Sequence, residues 1–235
     1  MAGSKNATAP LRIRTIEPVP SWLHLSTAER AELAKLAKPI EFKSAKTHIL
    51  EQGGKAGCLY LLADGIVQVS RMLPDGARHI VAFLWPGDLF GLEEKGRFLN
   101  GAETVTPCIV YQFQSQKLKA FLLANPRVQQ TVLVQAVHGL RAAQRQIIVV
   151  GRLETRRALA AFLLDCATHE HYFNAAKAQL ELPMTRYDIA DYLGTAAESV
   201  TRAFTRLAAE KLIRRITPRQ LFLDLPGLRR MVNLD

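Results

Sequence analysis

The chain has 235 residues, with 31 Lys and Arg against 21 Asp and Glu, for a formal net charge of +10. This length suits one large domain or two modest ones, and the basic balance favours a polyanionic partner. No apolar run reaches the roughly eighteen residues of a membrane span, and no secretory pattern opens the chain, so we expect a cytoplasmic protein with no membrane contact.

Three cysteines, Cys58, Cys108 and Cys166, are widely spaced and odd in number. This spacing is typical of neither a disulfide framework nor a metal site. We therefore expect free thiols and no bound metal.

The first predicted helix follows a polar N-terminal segment. Residues 1–20 lack periodicity and predict a flexible arm. Ser26 and Glu29 stand at capping-box spacing, which predicts a short helix through about Ala37 with Leu33 and Leu36 facing inward.

From Pro39 to about Phe113, short apolar runs alternate with turn residues. The pairs Asp64-Gly65 and Asp75-Gly76 each separate two such runs, a strong hairpin signal. Many short strands at regular spacing predict a small antiparallel barrel or jelly roll. With a short helix over 115–124, this cupin-like antiparallel β-roll occupies residues 21–124.

Residues 125–151 predict one long helix that ends near Gly151. Its apolar positions follow alternating spacings of four and three, typical of a short coiled-coil seam, and are Leu133, Val137, Leu140, Gln144 and Ile147. The seam predicts a homodimer contact; the alternative is packing on the chain's own barrel.

Residues 152–235 predict a winged helix-turn-helix, which completes an α+β fold. A helix over 154–168 and a loop over 171–182 lead to Thr185, which can cap a helix with Asp188. Gly194 ends this helix in the left-handed conformation.

Thr195 then starts a second helix, with Glu198 at capping-box spacing. Val200, Phe204 and Leu207 form its buried stripe, which makes this the helix that enters the major groove of DNA. After it, 212–216 and 221–224 form a hairpin typical of a wing.

The outer face of the second helix carries the candidate base contacts, which are Ala197, Glu198, Thr201 and Arg202. We expect contacts to the DNA backbone from Thr185, Arg186, Ser199, Arg206 and Arg215, with Arg214 and Arg219 as further wing cations. The alternative is that Glu198 only caps the helix and that these arginines are solvated.

Four stretches of the sequence resemble the Crp/Fnr superfamily of bacterial transcription regulators, and within it the FixK branch. They are Gly57–Val69, Pro86–Gly91, Leu182–Gly194 and Glu198–Arg202, to which Phe98–Val105 adds for the branch. The resemblance implies a cyclic-nucleotide-binding-domain-like β-roll, a long dimerisation helix and a homodimer on double-stranded DNA. It also implies an activator that recruits RNA polymerase and is not an enzyme.

The sequence departs from the superfamily at its cofactor signatures. Leu92 replaces the glutamate that follows Gly91 in cyclic-AMP-binding members, and Ala102-Glu103 replaces their Arg-Ser pair. A carboxylate there would repel a cyclic phosphate, and residues 1–20 contain no cysteine for an iron–sulfur centre. We therefore expect no cofactor.

The histidines favour no metal site. His79 is expected to be a satisfied strand residue, and His169 and His171 to be solvated at a helix end.

An arginine precedes the recognition glutamate in cyclic-AMP-type members, whereas Ala197 stands here and can contact only a thymine methyl. With Arg202 on guanine and Glu198 on cytosine, the resemblance implies half-sites close to TTG, read as TTG…CAA.

Three alternatives stay open. The regulator could need a small ligand or thiol oxidation, for which Cys166 is the candidate if its sulfur is exposed and its pKa depressed. The chain could instead be a barrel protein that docks on a protein partner. An enzyme on a cupin-like barrel needs clustered ligands, but only His48 and His79 lie on barrel strands.

Overall fold

A computed structural model describes residues 26–92 and 96–232 of the chain. The expected arm, residues 1–20, lies outside the described residues. Helix α1 (Thr27–Leu36) begins at the predicted capping box, in which Ser26 accepts a hydrogen bond from the Glu29 backbone and the Glu29 carboxylate accepts one from Ser26 N. Leu33 is buried beneath it.

The β-roll consists of two four-stranded antiparallel sheets, in the strand orders β1-β8-β3-β6 and β2-β7-β4-β5. The strands are β1 (Ala37–Phe42), β2 (His48–Leu50), β3 (Cys58–Asp64), β4 (Val67–Met72), β5 (Arg78–Leu84), β6 (Leu89–Phe90), β7 (Gly101–Thr104) and β8 (Cys108–Gln114). The predicted jelly-roll-like antiparallel architecture is confirmed.

Of the two predicted hairpins, one is correct and one is wrong. Asp75-Gly76 joins β4 to β5, which pair directly, and the Asp75 carboxylate accepts a hydrogen bond from Ala77 N. At Asp64-Gly65 the chain instead passes from one sheet to the other, because β3 and β4 do not pair. Gly65 has φ +90°, and a β-carbon there would collide with Pro107 and Cys108, so the turn is a crossing point between the sheets.

Two helices, α2 (Ser115–Ala124) and α3 (Pro126–Arg152), follow the β-roll, and a third, α4 (Thr155–Cys166), begins the C-terminal domain. Gly151 does not break the long helix, which continues to Arg152 and ends at Leu153 in an extended conformation. A glycine in a final exposed turn weakens a helix but does not terminate it.

The C-terminal domain combines helices with a third four-stranded sheet, of strand order β11-β12-β10-β9. Its further elements are β9 (Phe173–Asn174), β10 (Gln179–Glu181), α5 (Arg186–Leu193), α6 (Ala197–Ala209), β11 (Ile213–Thr217), β12 (Gln220–Leu223) and α7 (Leu225–Val232). The expected loop over 171–182 is wrong: it contains a short hairpin whose β10 pairs with β12 and extends the wing sheet.

Candidate nucleic-acid interface

Helices α5 and α6 form the predicted helix-turn-helix. Thr185 caps α5 by accepting a hydrogen bond from Asp188 N, while the Asp188 carboxylate accepts from Thr185 N at 3.0 Å and from Thr185 Oγ1 at 2.6 Å. Gly194 ends α5 at φ +63°, ψ +38°, the left-handed region that the sequence predicts. The two helices therefore meet at a turn whose geometry is fixed at both sides.

The start of α6 differs from the prediction. Its N-cap residue is Ala196, which offers no side-chain acceptor, and Thr195 stands one residue too early. Glu198 consequently makes no capping box and leaves its carboxylate exposed. The alternative in which Glu198 serves only as a capping residue is thereby wrong.

One face of α6 is buried and the opposite face is polar and exposed. Val200, Phe204 and Leu207 pack in the domain core, as predicted from their spacing. Glu198, Thr201 and Arg202 lie exposed on the other side, while Ala197 and Ser199 are half-buried at the N-terminal turn.

Local hydrogen bonds orient this exposed face. Arg202 Nη2 donates to Ser199 Oγ at 2.9 Å, and Thr201 Oγ1 donates to the Ala197 carbonyl at 2.9 Å. The Arg202 guanidinium therefore leans toward the N-terminal turn of α6, which also carries Glu198. The same exposed face thus holds a fork of donors and a carboxylate acceptor, groups that can read a guanine and a cytosine edge.

Arg186 is held in a way that the sequence did not reveal. Its guanidinium lies over the Phe204 ring, 3.3 Å from Cζ to the ring centroid. Burial and the nearby charge of Arg215 lower the pKa of Arg186 to about 10. This value is still high enough for Arg186 to stay charged at neutral pH. Phe204 was predicted only as a core residue, yet it also supports the cation from below by a cation–π contact.

The wing carries its basic residues on its exposed side. Arg214 lies over Phe222 at 5.5 Å, Arg215 Nε donates to the Thr217 carbonyl at 3.4 Å, and Arg219 follows at the turn. Arg206 is exposed in the last turn of α6. The described part of the domain therefore presents cations on α5, α6 and the wing.

The long helix leaves its predicted seam uncovered. Leu140 is 59% exposed and Ile147 is 72% exposed, and Leu133, Val137 and Gln144 are exposed as well. The alternative in which this seam packs on the chain's own β-roll is therefore wrong. The apolar face needs another occupant.

Cys166 has neither the exposed sulfur nor the depressed thiol pKa that redox sensing requires. Its side chain is fully buried among Phe162 and Leu163, and burial raises the pKa of its thiol well above the ordinary value. A buried, protonated thiol is neither accessible nor nucleophilic. Cys108 is also buried, with a pKa raised to about 11 by burial.

His169 is not solvated, in contrast to the prediction. Its imidazole stacks on Trp85 of the β-roll, with the centroids 4.0 Å apart, and burial lowers its pKa to about 4. His171 is exposed as expected. The sequence gave no signal for the stack, because Trp85 lies more than eighty residues away.

The two positions at which the sequence departs from the cyclic-AMP signature near residue 102 lie in strand β7. Ala102 is buried in an apolar cluster with Leu62 and Val67. The Glu103 carboxylate accepts a hydrogen bond from Gln68 Nε2 at 3.1 Å and lies 3.7 Å from His48 Nε2. At these two positions the described residues place a methyl group and a carboxylate, and neither is a cation.

The described residues contain no candidate for a metal centre or for a membrane-spanning helix. Within 26–92 and 96–232, no group of three or more His, Cys, Asp and Glu is placed to hold a metal ion. In the same ranges, no helix has the length and apolar character to cross a membrane.

Comparisons with known proteins agree with this architecture. Residues 41–125 match the cyclic nucleotide-binding domain family, and residues 157–231 match the Crp-like helix-turn-helix domain family. The chain is 32% identical over 183 residues to the nitrogen fixation regulation protein FixK of Bradyrhizobium diazoefficiens. The aligned residues cover 78% of this chain and 77% of that protein.

Two further relatives extend the comparison. The transcriptional activatory protein AadR of Rhodopseudomonas palustris is 31% identical over 189 residues, 80% of this chain and 79% of AadR. The solved structure of FixK2 from Bradyrhizobium japonicum superposes with a TM-score of 0.75 at 28% identity, and the match covers 83% of this chain and 96% of that one.

Proposed function

Because the chain belongs to the Crp/Fnr family of DNA-binding transcription regulators, we propose that it binds a two-fold symmetric operator as a homodimer and activates transcription. The observation that carries this proposal is the outer face of α6, where Glu198, Thr201 and Arg202 are exposed opposite a fully packed stripe. A helix of this kind has one face fixed in the domain and one free to enter the major groove.

The proposed readout assigns a role to each exposed side chain. Arg202 bonds guanine through two donors, and Glu198 accepts from cytosine N4 on that base pair or its neighbour. Thr201 lies between them, and the short Ala197 contacts a thymine methyl. The half-sites are then close to TTG, read as TTG…CAA across the dyad.

The cations around α6 contact the phosphates in this proposal. Arg186, Arg206 and Arg215 neutralise backbone charge, and Ser199 donates to a phosphate oxygen near the N-terminus of α6. Thr185 contacts a phosphate at the N-terminus of α5 by exchanging the hydrogen bond that its hydroxyl donates to Asp188. The cation–π support from Phe204 holds Arg186 in place before DNA arrives. These contacts set register and affinity without reading sequence.

The homodimer forms through the exposed α3 seam. Leu133, Val137, Leu140, Gln144 and Ile147 meet their copies on a second chain, which covers apolar area that one chain leaves in water. Two recognition helices related by this two-fold axis match a palindromic operator. The dimer acts in the cytoplasm and contacts RNA polymerase there.

No cofactor enters the proposal. The carboxylate of Glu103 and the methyl of Ala102 disfavour cyclic nucleotides, and the burial of Cys166 disfavours a thiol switch. Activity then follows the amount of protein. A regulator that a different small ligand gates is the competing candidate.

Selection of bound sequences from random duplex DNA tests the proposal, with purified protein, reductant and no added ligand. We expect a two-fold TTG…CAA motif. Recovery of no motif without ligand, but of one after a small molecule is added, would favour gating. Recovery of no motif under any condition would contradict sequence-specific binding.

A further inference from the structure

The β-roll and the DNA-binding domain meet along one strand. Strand β5 lies at the edge of its sheet, and its side chains contact α5 and α4. The Phe83 ring lies 5.2 Å from Tyr192 of α5 and 5.8 Å from Phe162 of α4, measured between centroids. The edge strand of this sheet therefore packs its side chains against two helices of the other domain.

Two charge-assisted hydrogen bonds fasten this contact at its outer end. Arg78, the first residue of β5, donates from Nη2 to Asp188 Oδ1 at 2.8 Å and from Nε to Asp191 Oδ2 at 2.7 Å. The three side chains are 30%, 15% and 30% exposed, so that water screens them only in part. One guanidinium therefore bridges two carboxylates that stand on the same face of α5.

We propose that Arg78 is a positioning residue for DNA binding, which holds α5 so that α6 is presented to DNA without an effector. This inference rests on the proposed DNA-binding function and concerns a residue of the β-roll that is not itself among the proposed DNA contacts. The contact partner, Asp188, also caps α5 and bonds Thr185, the proposed phosphate contact. A change at Arg78 is thus transmitted through one carboxylate to the phosphate-facing end of α5.

The charges of the cluster support the same role. Burial raises the pKa of Asp188, but its hydrogen bonds from Thr185 and Arg78 outweigh burial and hold the pKa below the ordinary value. The Asp188 carboxylate is then negative at neutral pH and stands on the helix that carries Arg186. Arg78 offsets this charge on a helix whose N-terminal end must attract phosphates.

A second contact holds the other end of α5. Gln146 Nε2 on α3 donates to the Tyr192 carbonyl at 3.0 Å. Gly194 lies so close to α3 that a β-carbon there would stand 3.3 Å from Val150 Cγ1. Helix α5 is therefore fixed at one end by the β-roll and at the other by the long helix, and α6 packs against it.

The test compares full-length variants on a duplex that carries the motif selected by the wild-type protein. Arg78→Gln should weaken binding by about 5-fold or more, the range of coupling between separate sites. Its slope of log K against log salt concentration should equal that of the wild type, because Arg78 touches no phosphate. Arg215→Gln should reduce the magnitude of that slope by about 0.9.

Arg71→Gln is the matched control, since Arg71 lies exposed on β4 of the same hairpin and loses the same charge. It should bind like the wild type. Asp191→Asn, introduced into the Arg78→Gln protein, should cost nothing further or restore part of the affinity, because the pair is already broken.

Several outcomes would overturn the inference while the wild type still selects its motif. In the first, Arg78→Gln binds the duplex as tightly as Arg71→Gln does. In the second, Arg78→Gln binds more tightly than the wild type, which would mean that the contact is inhibitory. In the third, adding Asp191→Asn to Arg78→Gln causes a further, additive loss of affinity. Failure of the wild type to select any motif would instead remove the proposed function itself. Circular dichroism and sedimentation of each variant confirm that fold and oligomeric state are retained.

Discussion

Arg202 and Arg206 stand one helical turn apart on α6, and both are exposed. Only Arg202 lies at the N-terminal half, where it bonds Ser199 and sits near Glu198. Position along the helix therefore separates an arginine that can reach a base edge from one that can reach a phosphate. Their replacement should have different signatures.

We expect Arg202→Ala to lose about 1–3 kcal/mol of binding free energy at the selected operator and to relax specificity at one base pair. Fluorescence anisotropy on the operator and on single-base variants measures both effects. Arg206→Ala is the control, and it should weaken operator and random DNA by the same factor. Equal losses on both DNAs in Arg202→Ala would contradict the base-contact role.

The stack of His169 on Trp85 predicts a pH dependence of stability. Burial lowers the pKa of His169 to about 4 from the ordinary 6.5. His169 of the unfolded chain is therefore protonated below pH 6.5, whereas His169 of the folded chain is protonated only below about pH 4. The group's contribution to stability is thus complete above pH 6.5 and is lost as the pH falls through about 4.

Urea unfolding at several pH values measures this loss. His169→Phe keeps an aromatic ring against Trp85 but does not titrate, so its free energy of unfolding should fall less between pH 7 and pH 4. Carboxylates such as Asp188 contribute to both proteins equally. Parallel pH curves for the two proteins would show that His169 is solvated after all.

At the level of elements, the turn between α5 and α6 depends on one glycine. Gly194 has φ +63°, and a β-carbon there would also stand 3.3 Å from Val150 Cγ1. Gly194→Ala should lower the free energy of unfolding by roughly 1–2 kcal/mol, the cost of a left-handed L-residue. Denaturant unfolding at fixed protein concentration measures the change.

Gly139 offers the matched control with the opposite sign. It lies exposed within α3, away from the predicted seam, and nothing stands within 4 Å of its β-carbon position. Gly139→Ala should stabilise the protein by about 1 kcal/mol, because alanine is the better helix former. A stabilising Gly194→Ala would contradict the fixed turn.

Local patterns predicted most elements because local physics decides them. The capping boxes at Ser26 and Thr185, the glycine at 194 and the wing hairpin all depend on residues within a few positions of one another. Helical period alone predicted the exposure of Glu198, Thr201 and Arg202 on α6, whereas Ala197, predicted on the same face, is half-buried against the core.

The errors arose where a local pattern has two solutions. Asp64-Gly65 and Asp75-Gly76 look alike, yet only the second closes a hairpin, because sheet pairing decides what a turn connects. Thr195 can cap a helix, but the chain begins α6 at Ala197 after an extended Ala196. Strand β9 has two residues, too few for any period to appear.

At the scale of the whole molecule, contacts between the domains left no trace in the sequence. Arg78 and Asp188 are 110 residues apart in the chain. Because the sequence contains many opposite charges at such separations, it does not indicate that these two are in contact. The same holds for Trp85 against His169 and for Phe83 against Tyr192. The residues that join the two domains had to be seen together in the fold.

The uncovered face of α3 gives the prediction that belongs to the assembly. Leu140 is 59% exposed in a single chain, at the centre of the seam. Leu140→Asp should convert the dimer to a monomer, because burying each leucine is worth about 1.5–3 kcal/mol and the symmetric dimer loses two of them. Such a loss weakens self-association by roughly 100-fold or more, which sedimentation equilibrium detects.

His138→Asp is the matched control, since His138 is exposed on the same helix but lies off the seam, and it introduces the same side chain. It should remain dimeric. The monomer formed by Leu140→Asp should bind a single half-site as weakly as it binds the full operator, because the second recognition helix no longer adds its contacts. If the Leu140→Asp protein stayed dimeric, the dimer contact would have to lie elsewhere than on the α3 seam. The spacing of the half-sites would then need another explanation.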